Sequence, residues 1–293
     1  MNSQFSFKAE LILILVTLIA ASGWIFSKEA LAGMPPLFFI ALRFFIGGMA
    51  LLLIGKKYFR GVLWSDVKPL IFIGSIMGIG MLFWVIGLNQ TSNLGVGAFI
   101  TCLGVVFVPV IGKLFFNDHP PLTIWIALPI AVVGLIFLVL ANGLNLETSH
   151  LYFLITAISV AFQLNLLSRF LASMNALVIT SIQLTTAGVL LFIVSLVFEG
   201  APQSISSHVI GWLLASALIA TSLRYFLQMY AMGMTPVSHS AVIMNLEPVW
   251  AAIFATIWFK ETMTIGQSFG CGLIFLAMLV SRWPQIKVLF KPK

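Results

Sequence analysis

Hydrophobic positions along the chain gather into ten long blocks with short polar breaks between them. The blocks run over 9–27, 36–54, 69–88, 94–114, 121–141, 151–171, 177–198, 210–230, 236–259 and 265–282. Most approach the ~20 apolar residues that a helix needs to cross ~30 Å of hydrocarbon. Lipid cannot satisfy peptide groups, so each block is expected to be a helix that closes its own backbone hydrogen bonds. Pro36, Pro69, Pro121 and Pro236 open four of the blocks. Proline suits the first helical turn, where its missing N–H costs no bond. The breaks are too short to hold a separate folded domain.

The pattern occurs twice. The stretch from Leu88 to Asp118 reads in step with the stretch from Ala231 to Glu261, at an offset of about 143 positions. Ser92 meets Thr235, Ala98 meets Ala241, Leu103 meets Leu246 and Asp118 meets Glu261. Upstream the offset is about 140, so that Leu37 meets Leu177 and Gly48 meets Gly188. Two halves are expected, over 9–141 and 149–282. Five crossings per half is an odd number, so the second half enters the membrane from the opposite side. The expected fold is an all-α integral membrane protein of ten transmembrane helices, arranged as two inverted-topology five-helix repeats. In such proteins the solute site lies near the midplane between the repeats, and exchanging the conformations of the halves gives alternating access.

Composition agrees with the block pattern. The chain is 61% hydrophobic and 8% charged, against roughly 25% charged in soluble domains. Its net charge of +7 invites a nucleic-acid reading, but the basic residues cluster beside the blocks. With the N-terminus inside, Lys8, Lys56, Lys57, Arg60, Lys68, Lys113, Arg169, Arg282, Lys287, Lys291 and Lys293 fall on the cytoplasmic side. Only Lys28 and Lys260 fall outside. The positive-inside rule therefore predicts a multi-pass protein of the cell (inner) membrane with both termini cytoplasmic. Ala20, Ala21 and Ser22 resemble a signal-peptide cleavage site. The repeat partner of the first block lies mid-chain, however, so the first block is expected to stay. Cys102 and Cys271 read as packing residues, without metal-ligand spacing.

The run Thr235-Pro-Val-Ser-His-Ser-Ala-Val-Ile-Met-Asn-Leu-Glu-Pro-Val, followed by Trp258-Phe-Lys-Glu261, resembles the EamA-type family of the drug/metabolite transporter superfamily. Thr91-Ser92, Ala98, Pro109 and Asp118 form the matching run in the first half, and Ser22-Gly23-Trp24 and Arg43-Phe44 fit the same resemblance. It implies a ten-helix permease, often an exporter of amino acids or other metabolites. The usual Gly-Glu ending is replaced by Lys260-Glu261 and Asn117-Asp118, and the usual Trp-Gly order by Gly23-Trp24.

An ionised side chain at the bilayer centre costs about 2.5–3.5 kcal/mol on insertion scales, so each one needs a reason. Glu247 in the ninth block is expected to serve coupling or gating, and Arg43 in the second is grouped with it. Arg224 in the eighth block either pairs with Glu247 or snorkels to the headgroups. Gln228 lies one turn beyond Arg224 on the same face. Gln163, Asn165 and Asn245 are either solute ligands or hydrogen-bonding glue between helices. Trp24 and Trp84 line a cavity or pack in the helix bundle. The expected solute site draws on Trp24, Trp84, Gln163, Asn165, Arg224, Gln228 and Asn245. His239, near the start of the ninth block, reads as structural.

The sequence lacks metalloprotease, nucleophile-elbow and phosphate-loop motifs. An enzyme is not expected, nor a catalytic residue, cofactor or metal. The leading reading is a secondary-active transporter of small metabolites, most consistent with amino-acid export. Broad drug efflux, metabolite uptake, a polytopic enzyme and a sensor or scaffold are the alternatives. Expected partners are a small-molecule solute, protons and the lipid bilayer, with no nucleic acid. The chain is expected to be a monomer or a weak homodimer.

Overall fold

A computed structural model of the chain describes residues 7–90, 97, 100–101, 103–140, 148–170, 174–199, 205–244, 246–259, 265–281 and 283. Among these residues the regular structure is entirely helical. The helices are α1 (Phe7–Leu31), α2 (Pro36–Gly55), α3 (Trp64–Gln90), α4 (Gly104–Phe116), α5 (Leu122–Leu140), α6 (Thr148–Ser168), α7 (Ala176–Phe198), α8 (Ser207–Met232), α9 (Val237–Met244), α10 (Glu247–Phe259) and α11 (Ile265–Ser281). Every predicted block contains a helix. Six helical spans are long and apolar enough to cross a membrane: α1, α2 with the 3-10 turn that follows it, α3, α6, α7 and α8.

The structure differs from the block pattern at three places. The third helix begins at Trp64, so Pro69 sits inside it rather than at its start. Hydropathy marks where lipid begins, and the polar turn before Pro69 is still helical; Asp66 steadies its entry by accepting the Leu63 N–H at 3.1 Å. Likewise α8 starts before its apolar block, because the Ser206 hydroxyl caps it by accepting the Val209 N–H. The ninth block is two helices, not one. Pro248 has no N–H to offer the carbonyl one turn back, and the helix restarts at Glu247. That restart puts a carboxylate at a positive helix end.

The most extensive contacts pair α2 with α7, α5 with α11, α3 with α6, α1 with α8, α4 with α6, and α1 with α9 and α10. Exchanging the two halves maps this set onto itself. The α2–α7 contact is set by two glycines that the repeat itself equates. A methyl group on Gly48 would stand 2.9 Å from Thr185 Cα, and one on Gly188 would stand 2.6 Å from Phe45 Cα. Backbone meets backbone there, the close approach that small residues permit between membrane helices. Gly74 and Gly78 bring α3 against Gln183 and Ala187 of α7 in the same way. Glu199, at the end of α7, accepts the Leu37 and Phe38 N–H groups at 2.9 Å each. It thereby satisfies two orphan donors of α2 and ties the first half to the second.

Candidate functional site

A cavity of about 150 Å³ opens where α1, α2, α3, α6, α8, α9 and α10 converge. Both halves of the chain line it. Its polar lining comprises Trp24, Arg43, Thr101, Gln163, Arg224, Tyr225, Gln228 and Glu247. Phe44, Met81, Trp84, Leu164 and Met229 supply much of the apolar wall. Sites for drug-sized ligands measure about 300–1,000 Å³, so this one suits a solute of few heavy atoms.

Glu247 is held from two sides. Trp24 Nε1 donates to its Oε1 at 3.0 Å, and Arg224 Nη2 approaches its Oε2 at 3.4 Å. Of the two sequence-level alternatives for Arg224, pairing is the one found. The side chains of Arg224 and Glu247 remain 15% and 20% exposed, so the pair is not fully desolvated. The Arg224 guanidinium also lies 4.3 Å from the Tyr225 ring centroid, a cation–π distance. Trp24 meets Trp84 edge to face at 5.2 Å, which fixes one wall of the cavity.

Arg43 reaches the cavity from the opposite side. Its Nε donates to Thr221 Oγ1 at 2.6 Å and its Nη1 to Ser27 Oγ at 2.8 Å. Each hydroxyl directs its own proton elsewhere. Ser27 donates to Gly23 O at 2.6 Å and Thr221 to Ser216 O at 2.9 Å. Thr221 lies in a π-helical segment of α8, Leu218–Leu223. Such segments widen the turn and leave carbonyls short of partners. Thr221 fills one of these vacancies, and Ser222 Oγ lies 3.0 Å from Ala217 O and 2.8 Å from Gly47 O of α2. The irregular turn is thus satisfied by hydroxyls that also hold α2 and Arg43.

The sequence-nominated residues fall into three groups. Trp24, Trp84, Gln163, Arg224, Gln228, Arg43 and Glu247 come together around the cavity. Gln228 Oε1 is buried without a hydrogen-bond partner. Asn165 is elsewhere: fully buried, its amide donates to Val108 O and Ala161 O at 2.9 Å each, joining α6 to α4. Asn245 lies outside the described residues. Sequence reasoning missed Ser27 and Thr221, whose hydroxyls could not be told from packing hydroxyls by spacing. It also missed Glu10, whose Oε1 stands 3.1 Å from His239 Nε2. Both side chains of that pair are nearly inaccessible, so His239 is not the solitary histidine it resembled. Among the described residues no group of three or more His, Cys, Asp or Glu could hold a metal.

Known proteins fit this architecture. A model of the EamA-like transporter family matches residues 7–140 and again 148–283. An uncharacterized transporter of Archaeoglobus fulgidus is 31% identical over 275 residues, covering 93% of this chain and 85% of its own length. The threonine/homoserine exporter RhtA of Salmonella typhimurium is 29% identical over 290 residues, covering 94% of each chain. The uncharacterized transporter YoaV of Bacillus subtilis is 25% identical over 290 residues, covering 94% of this chain and 98% of its own. A solved crystal structure superposes with a TM-score of 0.77 at 16% identity, covering 96% of this chain and 98% of that one, which bears on the fold alone. Each half matches the same family model on its own, and that double match accounts for the internal repeat: the chain is a multi-pass membrane protein that belongs to the EamA-like transporter family.

Proposed function

We propose that the protein is a secondary-active exporter of a small amino acid or a closely related metabolite. The observation that carries this reading is the small polar cavity shared by the two halves. Its dimensions favour a metabolite over a bulky drug. The similarity to a threonine/homoserine exporter favours amino acids and outward movement. In this reading all ten helical segments cross the membrane, the halves are inverted, and the cavity opens to each side in turn. Both termini face the cytoplasm, as the 11-to-2 division of Lys and Arg between the two sides predicts. Glu247 is the protonatable group best placed to couple solute movement to a proton gradient, because its charge interacts directly with Arg224 across the cavity wall.

Overexpression followed by metabolite profiling of cells and medium tests the proposal. One or a few amino acids should rise in the medium relative to an empty-vector control. Purified protein in proteoliposomes should then move the same compounds without ATP. Identical profiles with and without the protein would refute the reading.

A further inference from the structure

Three groups around the cavity carry formal charge: Arg43, Arg224 and Glu247. Arg224 and Glu247 neutralise each other. That leaves Arg43, whose side chain is in a residue only 9% exposed. The ion pairs among the described residues are Arg169 with Asp118, Arg224 with Glu247 and His239 with Glu10, so none engages Arg43. Residues 91–96, 98, 99, 102 and 245, which adjoin the lining segments in sequence, carry no charged side chain.

A guanidinium in these surroundings is costly unless an anion completes it. The two hydroxyls that hold it cannot do so. They are neutral, and their protons are already directed to Gly23 O and Ser216 O. They fix the direction of the fork through Nε and Nη1. The remaining nitrogen, Nη2, makes no hydrogen bond to the described residues. It lies 3.6 Å from where a Cβ on Gly23 would stand, so the missing side chain at that cavity position leaves room beside it.

Building on the exporter reading above, we propose that Arg43 is the anion anchor of the cavity and that the transported solute carries a carboxylate, bound at Nη2. One uncompensated cation matches one negative charge. A phosphate, with nearly two charges, would leave the site net negative, and a cationic solute would meet an unpaired arginine. The transported class is therefore small carboxylates, amino acids included, and excludes amines and quaternary ammonium compounds. Thr221 and Ser27 are positioning residues, since they aim the guanidinium without meeting the solute through their committed protons.

The test uses proteoliposomes loaded with threonine, homoserine and the corresponding amino-acid amides, with protein-free liposomes giving the leak. The wild-type protein should release the acids at least about tenfold faster than the amides, as expected for a charge-assisted hydrogen bond. Arg43→Gln should lower acid efflux about ten- to a hundredfold. Arg43→Lys, which keeps the charge without the planar fork, should fall between. Thr221→Val should raise KM for the acids while leaving the maximal rate near that of the wild type. Amides moving as fast as acids would overturn the anchor while leaving the exporter reading intact, and so would wild-type acid efflux from Arg43→Gln. The acid-to-amide comparison needs no variant, so poor folding of Arg43→Gln would not shield the proposal. Release of neither class by the wild-type protein would overturn the exporter reading itself.

Discussion

Replacing Arg224 by methionine removes the cation facing Glu247 while keeping much of the side-chain volume. Breaking a fully buried ion pair from one side costs about 3–5 kcal/mol, because the remaining charge is left uncompensated. Two features lower that figure here. The N–O distance of 3.4 Å exceeds the ~2.7–2.9 Å of a strong charge-assisted bond, and both side chains keep some exposure. A cost of about 2–3 kcal/mol follows for Arg224→Met. Glu247→Gln should cost less, about 1–2 kcal/mol. Its amide oxygen can still accept from Trp24 Nε1, and the stranded Arg224 retains the Tyr225 ring. The double variant leaves no unpaired charge. Its destabilisation should fall short of the sum of the single effects by about 2 kcal/mol, the coupling energy of the pair. Reversible unfolding in mixed micelles measures all three variants. Additivity within ~0.5 kcal/mol would show that the two charges do not interact. The single variants also address coupling. Glu247→Gln should retain solute exchange at equilibrium and lose accumulation driven by a proton gradient; full gradient-driven transport would end the coupling role.

Gly48→Ala and Gly188→Ala should each destabilise the protein by about 1–3 kcal/mol through overpacking of α2 against α7; Gly211→Ala, where a Cβ meets nothing within 4 Å, is the matched control and should be neutral or stabilising in thermal unfolding. Asn165→Ala should reduce thermal stability without altering which amino acids are exported, whereas Gln228→Ala should change rate or selectivity at near wild-type stability; the reverse assignment would misplace the cavity. In a background lacking Cys102 and Cys271, an impermeant thiol reagent applied to intact cells should label Ser207→Cys and spare Arg60→Cys, and the opposite pattern would invert the orientation.

The architecture was readable from sequence to the extent that it rests on transfer free energy and on the repeat. Apolar blocks located the helices, and the correspondence of Gly48 with Gly188 anticipated two residues that meet at the α2–α7 contact. Hydropathy did not reveal the restart at Glu247 or the early start at Trp64, because backbone hydrogen bonding and capping decide helix ends. Around the cavity, the expense of intramembrane charge singled out Arg43, Arg224 and Glu247 before their partners were known. Partners were harder. Trp24 and Glu247 are separated by 223 positions, and Glu10 and His239 by 229. No local periodicity reports such pairs. Asn165 and Gln163 illustrate the same difficulty at short range. They are two positions apart on one helix, so they face different directions, and only packing decided which one reached the cavity.

The π-helical turn at Leu218–Leu223 acts as a phase shift in the chain. One residue more than an α-turn requires rotates everything downstream by about 100°. Arg224 and Gln228 point into the cavity in that rotated frame. Deleting a single codon within 218–223 would restore a regular α-helix and swing both side chains away, without substituting any residue of the lining. The same arithmetic run backwards offers a route by which two copies of one ancestral unit diverge. The repeat offset slips between Gly188 and Ala231, the stretch that contains this turn. A duplicated gene can therefore acquire a one-sided binding wall by a frame-preserving insertion, leaving the glycine contacts that hold the halves together untouched.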